Sequence, residues 1–115
     1  WVEPGIIRDD LNKKLATLGL FFAPETSTAN RAMIGGMIGN NSCGANSVVY
    51  GSVREHLLEV KTLLSDGNEA CFGALDEHGF LAHCNGLDTS GDLHTQIYLG
   101  IREILSDKKV LTEIA

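Results

Sequence analysis

The stretch Met33–Gly44, MIGGMIGNNSCG, constrains this chain more than any other. It holds four glycines, two asparagines and a serine, and no charge. The charge-free run continues to Val53, in a chain where charged residues are 21% of the total. Glycine lets backbone approach another surface closely, and the N–H groups at a helix start are free to donate. A glycine-rich turn feeding a short helix is therefore one way to hold phosphate or a flat polar ring. The other reading is a flexible surface loop. Against it, Met33, Ile34, Met37 and Ile38 interleave with the glycines, which anchors the segment in a core. A glycine loop by itself is a weak signal.

The chain has 115 residues, 43% of them hydrophobic, and a net charge of −6. These values suit one small soluble domain with a modest core. No apolar run approaches the ~20 residues of a membrane helix. An acidic chain without a basic block argues against nucleic acid as partner. The cysteines Cys43, Cys71 and Cys84 are odd in number and irregular in spacing, which describes no disulfide framework and favours a reducing cytoplasm. The chain starts at Trp1 without an initiator methionine and stops inside a helical pattern, so it reads as a piece of a longer protein.

In chain order, Trp1-Val2 suits the tail of a strand, and Glu3-Pro4-Gly5 a break. Ile7, Leu11, Leu15 and Leu18 recur at helical spacing, with Asp9 and Asp10 in the first turn and Gly19 as the stop. Arg8, Lys13 and Lys14 are expected on the wet face. Pro24–Thr28 is a turn of hydroxyls, and two roles stay open for them: capping the next helix, or donating to a ligand of the glycine loop. Arg31 is expected at the surface. Asn46–Gly51 reads as irregular chain carrying Tyr50, either packed or bordering a site. Ser52–His56 suits one helical turn.

Leu57–Ser65 is predicted as a strand, Asp66-Gly67 as a hairpin turn and Asn68–Phe72 as the returning strand. Phe72–Gly91 has four glycines and little periodicity and is expected to be a long loop or insertion. His78, His83, Cys84 and His94 have the right chemistry for zinc, but their spacing matches no closed zinc pattern, and no metal is expected. Cys43 is open to two readings, a nucleophile or a small residue in a tight turn. Leu93, Ile97, Ile101 and Leu105 predict a helix with Asp92 as cap. Val110, Leu111 and Ile114 form the apolar side of another, begun by Ser106-Asp107.

Several of these features follow in one order: Pro4-Gly5, a helix, Pro24, Met33-Ile34-Gly35-Gly36-Met37-Ile38, Asn40-Asn41-Ser42, Gly44, Tyr50-Gly51 and Leu64-Ser65-Asp66-Gly67. That order resembles the FAD-linked oxidase family, whose flavin domain is of the p-cresol methylhydroxylase (PCMH)/vanillyl-alcohol oxidase type. Within the family the likeness is strongest to D-2-hydroxy-acid dehydrogenases such as glycolate oxidase, D-lactate dehydrogenase and D-2-hydroxyglutarate dehydrogenase. It covers about residues 1–72. Residues 73–92 look like a loop or insertion and 93–115 like a truncated helical segment, as in long members that carry an iron–sulfur region.

The resemblance implies an α+β fold: the second half of a PCMH-type FAD-binding domain, a small, mostly antiparallel sheet flanked by helices. It implies FAD as cofactor and oxidation of a small 2-hydroxy acid to the 2-keto acid. The rest of the flavin domain and a cap domain, where most catalytic residues sit, would lie elsewhere in the parent, so no catalytic residue is assigned here. A cytoplasmic location is expected, or membrane association through the parent. Carried over by position, Pro24, Glu25, Thr26 and Ser27 would meet the flavin and pyrophosphate. Met33, Ile34, Gly35 and Gly36 would place backbone amides against the cofactor. Asn40, Asn41, Ser42 and Gly44 would face the isoalloxazine or ribityl chain, and Tyr50 would close the wall. The family often has Asp at the place of Glu25, and Thr or Cys at that of Met33. Two alternatives remain: a reductase of the same fold that forms UDP-N-acetylmuramate, and a non-enzymatic module for a phosphorylated ligand or a protein partner.

Overall fold

The computed structural model describes residues 1–85 and 92–114. They form an α+β chain of two compact units, Trp1–Leu57 and Leu58–Ala115. Among the described residues no helix is long and apolar enough to cross a membrane.

In the first unit, α1 spans Arg8–Ala16. Its early aspartates and late lysines complement the helix dipole. Gly19 turns the chain at φ 71°, a conformation most side chains avoid. The segment that returns is tethered to α1 by side chains. The Asn12 amide donates to Phe22 O at 3.1 Å and accepts from Phe22 N at 2.7 Å. Arg8 Nε donates to Pro24 O at 3.2 Å, and its Nη2 to Phe22 O at 3.4 Å. Arg8 is thus not on the wet face: its side chain is only 16% exposed. Lys13 is exposed and paired with Asp10. Trp1 and Val2 are exposed and form no strand.

The glycine-rich stretch forms α2, Ile34–Gly39. Six residues with three glycines cannot be helical by propensity, since each glycine costs about 1 kcal/mol relative to alanine. Packing and tethers hold it instead. Ile34 and Met37, three apart, enter the core with Leu11 and Val53. Ile34 N donates to Ile6 O and Gly35 N to Pro4 O. The helix ends in a Schellman arrangement: Asn41 is left-handed at φ 45°, Ser42 N donates to Met37 O and Asn41 N to Ile38 O. Asn46–Gly51 is less irregular than expected, because Ser47–Tyr50 forms α3. A 3-10 turn at Val53–His56 follows, matching the single turn read from the sequence.

In the second unit, β1 (Glu59–Leu63) pairs antiparallel with β2 (Glu69–Gly73), with Val60 opposite Phe72. Gly67, at φ 86°, makes the expected hairpin turn, and Asp66 accepts from Asn68 N. The loop expected over Phe72–Gly91 instead contains α4, Glu77–Asn85, started by Asp76 accepting from Gly79 N. The rest of that expectation, residues 86–91, lies outside the described residues. Asp92 caps α5 (Leu93–Ser106) through Thr95 N, as read, and α6 covers Lys108–Ile114. The inner side of α5 is centred on Tyr98, not on Ile101, which is 41% exposed. Phe72, Phe80, His83 and His94 surround Tyr98, with His83 stacked on it at 4.6 Å.

Candidate functional site

The sequence placed candidate ligand residues on two segments, 24–27 and 33–44, with Tyr50 beyond them. The first is fixed from below. Pro24 is fully buried and its carbonyl is held by Arg8. Beyond it the chain turns: Ala29 N donates to Thr26 O, and Arg31 N and Ala32 N to Thr28 O. The Thr26 and Thr28 hydroxyls meet at 3.0 Å, and Thr26 Oγ1 accepts from Thr28 N. These hydroxyls therefore close their own turn. They do not cap α2, whose N-cap, Met33, has no side-chain bond. Ser27 is exposed and its hydroxyl has no partner among the described residues.

Within the glycine stretch the structure separates scaffold from open surface. Ile34 is 3% exposed in the core and its amide is used by Ile6. A Cβ on Gly35 would lie 2.7 Å from Pro4 Cβ, and the Gly35 amide binds Pro4 O, so this glycine serves packing. Gly36 is different: nothing lies within 4 Å of a Cβ there, and its N–H has no acceptor among the described residues. Met33 is 54% exposed.

The loop after α2 divides in the same way. Asn40 Nδ2 donates to Ser42 Oγ. Asn41 Oδ1 accepts from Arg54 N at 2.9 Å, and the Ser52 hydroxyl lies 2.9 Å from it and 2.6 Å from Glu55 Oε2, so that carbonyl serves the scaffold. Ser52 N also donates to Glu55 Oε2. With its proton on Glu55, the Ser52 hydroxyl and the Ser52 backbone together lower the Glu55 pKa to about 2. The N–H groups of Cys43, Gly44 and Ala45 have no acceptor among the described residues. Unspent neutral donors of this kind suit an anionic or polar ligand in an acidic chain.

The two candidate segments meet. A Cβ on Gly44 would lie 2.6 Å from Glu25 O, so here only glycine lets the backbones touch. Asn46 Nδ2 donates to Glu25 Oε2 at 2.5 Å. Tyr50 is 43% exposed and packs edge-on to Phe21 at 5.7 Å, while its carbonyl pairs with His56 Nε2. Arg31 is at the surface against Asn30, as expected. Cys43 is exposed. Among the described residues no three His, Cys, Asp or Glu side chains converge as metal ligands.

An apolar hollow of about 340 Å3 lies elsewhere in the same unit, walled by Leu11, Leu15, Phe22, Ile34 and Val53. His56 is the one polar side chain in its wall, so it offers little to a phosphate or a flavin ring.

Sequence reasoning missed Arg8, Asn12 and Asn46. Arg8 was legible: it lies three and seven residues before Leu11 and Leu15, on the edge of their stripe. Asn12 follows it by one turn. Asn46 carried no signal, because its partner is 21 residues away.

A family model described as FAD binding domain matches residues 1–70. A D-2-hydroxyglutarate dehydrogenase of Pseudomonas putida is 37% identical over 112 residues, 97% of this chain and 11% of that protein. That of Escherichia coli is 49% identical over 67 residues, 58% of this chain and 7% of that protein. The glycolate oxidase subunit GlcD of Bacillus subtilis is 33% identical over 67 residues, 58% of this chain and 14% of that protein. The chain thus spans about a tenth of the length of these curated relatives. No solved structure matches it significantly.

Proposed function

The chain belongs to the FAD binding domain family, and from that premise we propose that it builds part of the flavin site of an FAD-dependent oxidoreductase that oxidises a 2-hydroxy acid to the 2-keto acid. One observation carries the reading. Two segments picked out by the sequence, 24–27 and 33–44, are in backbone contact at Gly44, with unspent amides on the same loop.

The residues present fit such a cofactor. Gly36 offers an open surface and a free N–H, and Cys43–Ala45 offer three more. Ser27 adds an exposed hydroxyl. When bound, FAD supplies the two-electron acceptor that these side chains cannot provide. The chain's part is to bind and orient: neutral N–H groups hold negative charge without drawing in counter-charge, by the logic of an oxyanion hole. The family's PCMH-type second half is the architecture we assign to residues 1–72. The remaining flavin-domain half, the cap and the catalytic groups belong, in this reading, to parts of the protein beyond these 115 residues.

Among hydroxy acids, D-2-hydroxyglutarate is the first to test. The two D-2-hydroxyglutarate dehydrogenases are 37% and 49% identical to the chain over the matched residues, the Bacillus subtilis glycolate oxidase subunit 33%. D-Lactate and glycolate follow.

The test is flavin absorbance of the gently purified full-length protein, wild type against Gly36→Val. Because a Cβ at Gly36 meets nothing within 4 Å outside its own helix, a loss of flavin in a folded variant reports on the ligand side. We expect a yellow wild type and a folded variant that binds FAD at least about tenfold more weakly, a difference of ~1.4 kcal/mol. A wild type that neither carries nor takes up FAD overturns the reading.

A further inference from the structure

The geometry points to Glu25 and Asn46 as a staple that sets the spacing of the two ligand-bearing loops, an inference that rests on the flavin reading above. The Glu25 backbone passes Gly44 so closely that a Cβ there would lie 2.6 Å from Glu25 O. Its carboxylate then reaches over to the Asn46 side-chain amide, two residues further along the same loop. Backbone contact and side-chain bond together fix both the separation and the slide of one loop against the other. Between them lie the free N–H groups of Gly44 and Ala45.

The staple also resolves a chemical difficulty with Glu25. A carboxylate turned toward a pyrophosphate would repel it. Bonded to Asn46, the Glu25 carboxylate keeps its charge but turns Oε2 to a neutral donor of the protein. Glu25 is therefore a positioning residue and not a ligand of the cofactor, and Asn46 is its partner. The free donors of the site are neutral amides, which is how an anionic cofactor is held beside a carboxylate.

The experiment measures the FAD dissociation constant of the full-length apoprotein by flavin fluorescence. Four proteins are compared: wild type, Glu25→Gln, Asn46→Asp, and the two changes combined. In Glu25→Gln the side-chain carbonyl still accepts from Asn46, so affinity stays within about threefold of wild type. Asn46→Asp sets two carboxylates against each other and parts the loops, and affinity falls at least about tenfold. In the double variant the amide introduced at position 25 donates to the carboxylate introduced at position 46, with donor and acceptor exchanged, and affinity returns to within about threefold. A purely structural role would not produce this rescue in binding at unchanged thermal midpoint.

Three outcomes overturn the staple: an Asn46→Asp protein that binds like wild type, a double variant as weak as the single, or a Glu25→Gln protein as weak as Asn46→Asp, which would make Glu25 a direct contact. If Asn46→Asp does not fold, Asn46→Ala takes its place, removing the donor without adding charge. A wild type without FAD sinks the flavin reading itself. A loaded wild type with an indifferent Asn46 sinks only the staple.

Discussion

The two units reach order by different routes. In Leu58–Ala115, regular elements present rings and apolar faces to one another, and Tyr98 sits among Phe72, Phe80, His83 and His94 with centroids 4.6–6.0 Å away. In Trp1–Leu57 the helices are short and the joints are individual. Arg8 and Asn12 hold main-chain carbonyls, Asn41 gathers Ser52 and Arg54, and glycines allow contact at Pro4 and Glu25. Burial is non-directional, so it fills space, while the helix and strand ladders satisfy the backbone. Point tethers fix irregular chain while leaving some N–H and O–H groups unspent at the surface, and unspent groups are what a ligand site needs.

The comparison breaks first, and most visibly, at Tyr98. Its side chain is 6% exposed at the centre of the ring cluster. Tyr98→Ala is expected to cost the second unit about 3–5 kcal/mol, as for other buried aromatics, and to remove hydrogen-exchange protection from α4 and α5. A loss under ~1 kcal/mol would mean that the rings do not organise this unit. Tyr98→Phe keeps the ring and tests whether the hydroxyl contributes.

Next in size is a contrast between neighbours in the first unit. Gly35→Ala drives a methyl group into Pro4, whose backbone as well as ring lies close, and should cost about 1–3 kcal/mol in a urea titration. Gly36→Ala meets open space in a helix and should stabilise by up to ~1 kcal/mol, since alanine is the better helix former. Opposite signs one residue apart would sharpen the division between scaffold and open surface. Equal effects would erase it.

The same division explains what was legible in the sequence. The hairpin at Asp66-Gly67, α1 and α5 follow from period and turn chemistry, which are local. The order of motifs from Pro4 to Gly67 pointed to the family. The helix α4 is hard to read because Gly79 lies within it, Gly73 and Gly86 flank it, and its apolar stripe is no longer than Phe80, Leu81 and Cys84. The glycine stretch is legible as a candidate site but the different duties of Gly35 and Gly36 are not, because the Pro4 contact that separates them is distant in the chain. Nor does anything local to Asn41 show that its side-chain carbonyl accepts from Arg54 N and lies 2.9 Å from the Ser52 hydroxyl.

The smallest expected effect tests one tether directly. The single hydroxyl proton of Ser52 lies between Glu55 Oε2 at 2.6 Å and Asn41 Oδ1 at 2.9 Å, and it can serve only one of them. If it serves Glu55, that carboxylate titrates at about 2 in place of its ordinary 4.5. The folded value is then the lower one. The stabilisation is complete above 4.5 and is lost as pH falls toward 2, because only the anion accepts both Ser52 bonds. Glu55 is at the surface, so the effect on overall stability is small and screened by salt. The titration itself is the better measurement: the side-chain carboxyl carbon of Glu55, followed by NMR in wild type and in Asn41→Ala. A midpoint near 2 in both proteins places the proton on the Glu55 side. A wild-type midpoint nearer 4.5 that drops in Asn41→Ala places it on Asn41, and the joint between residues 41 and 52 then outranks the one between 52 and 55 in holding the loop that bears the candidate site.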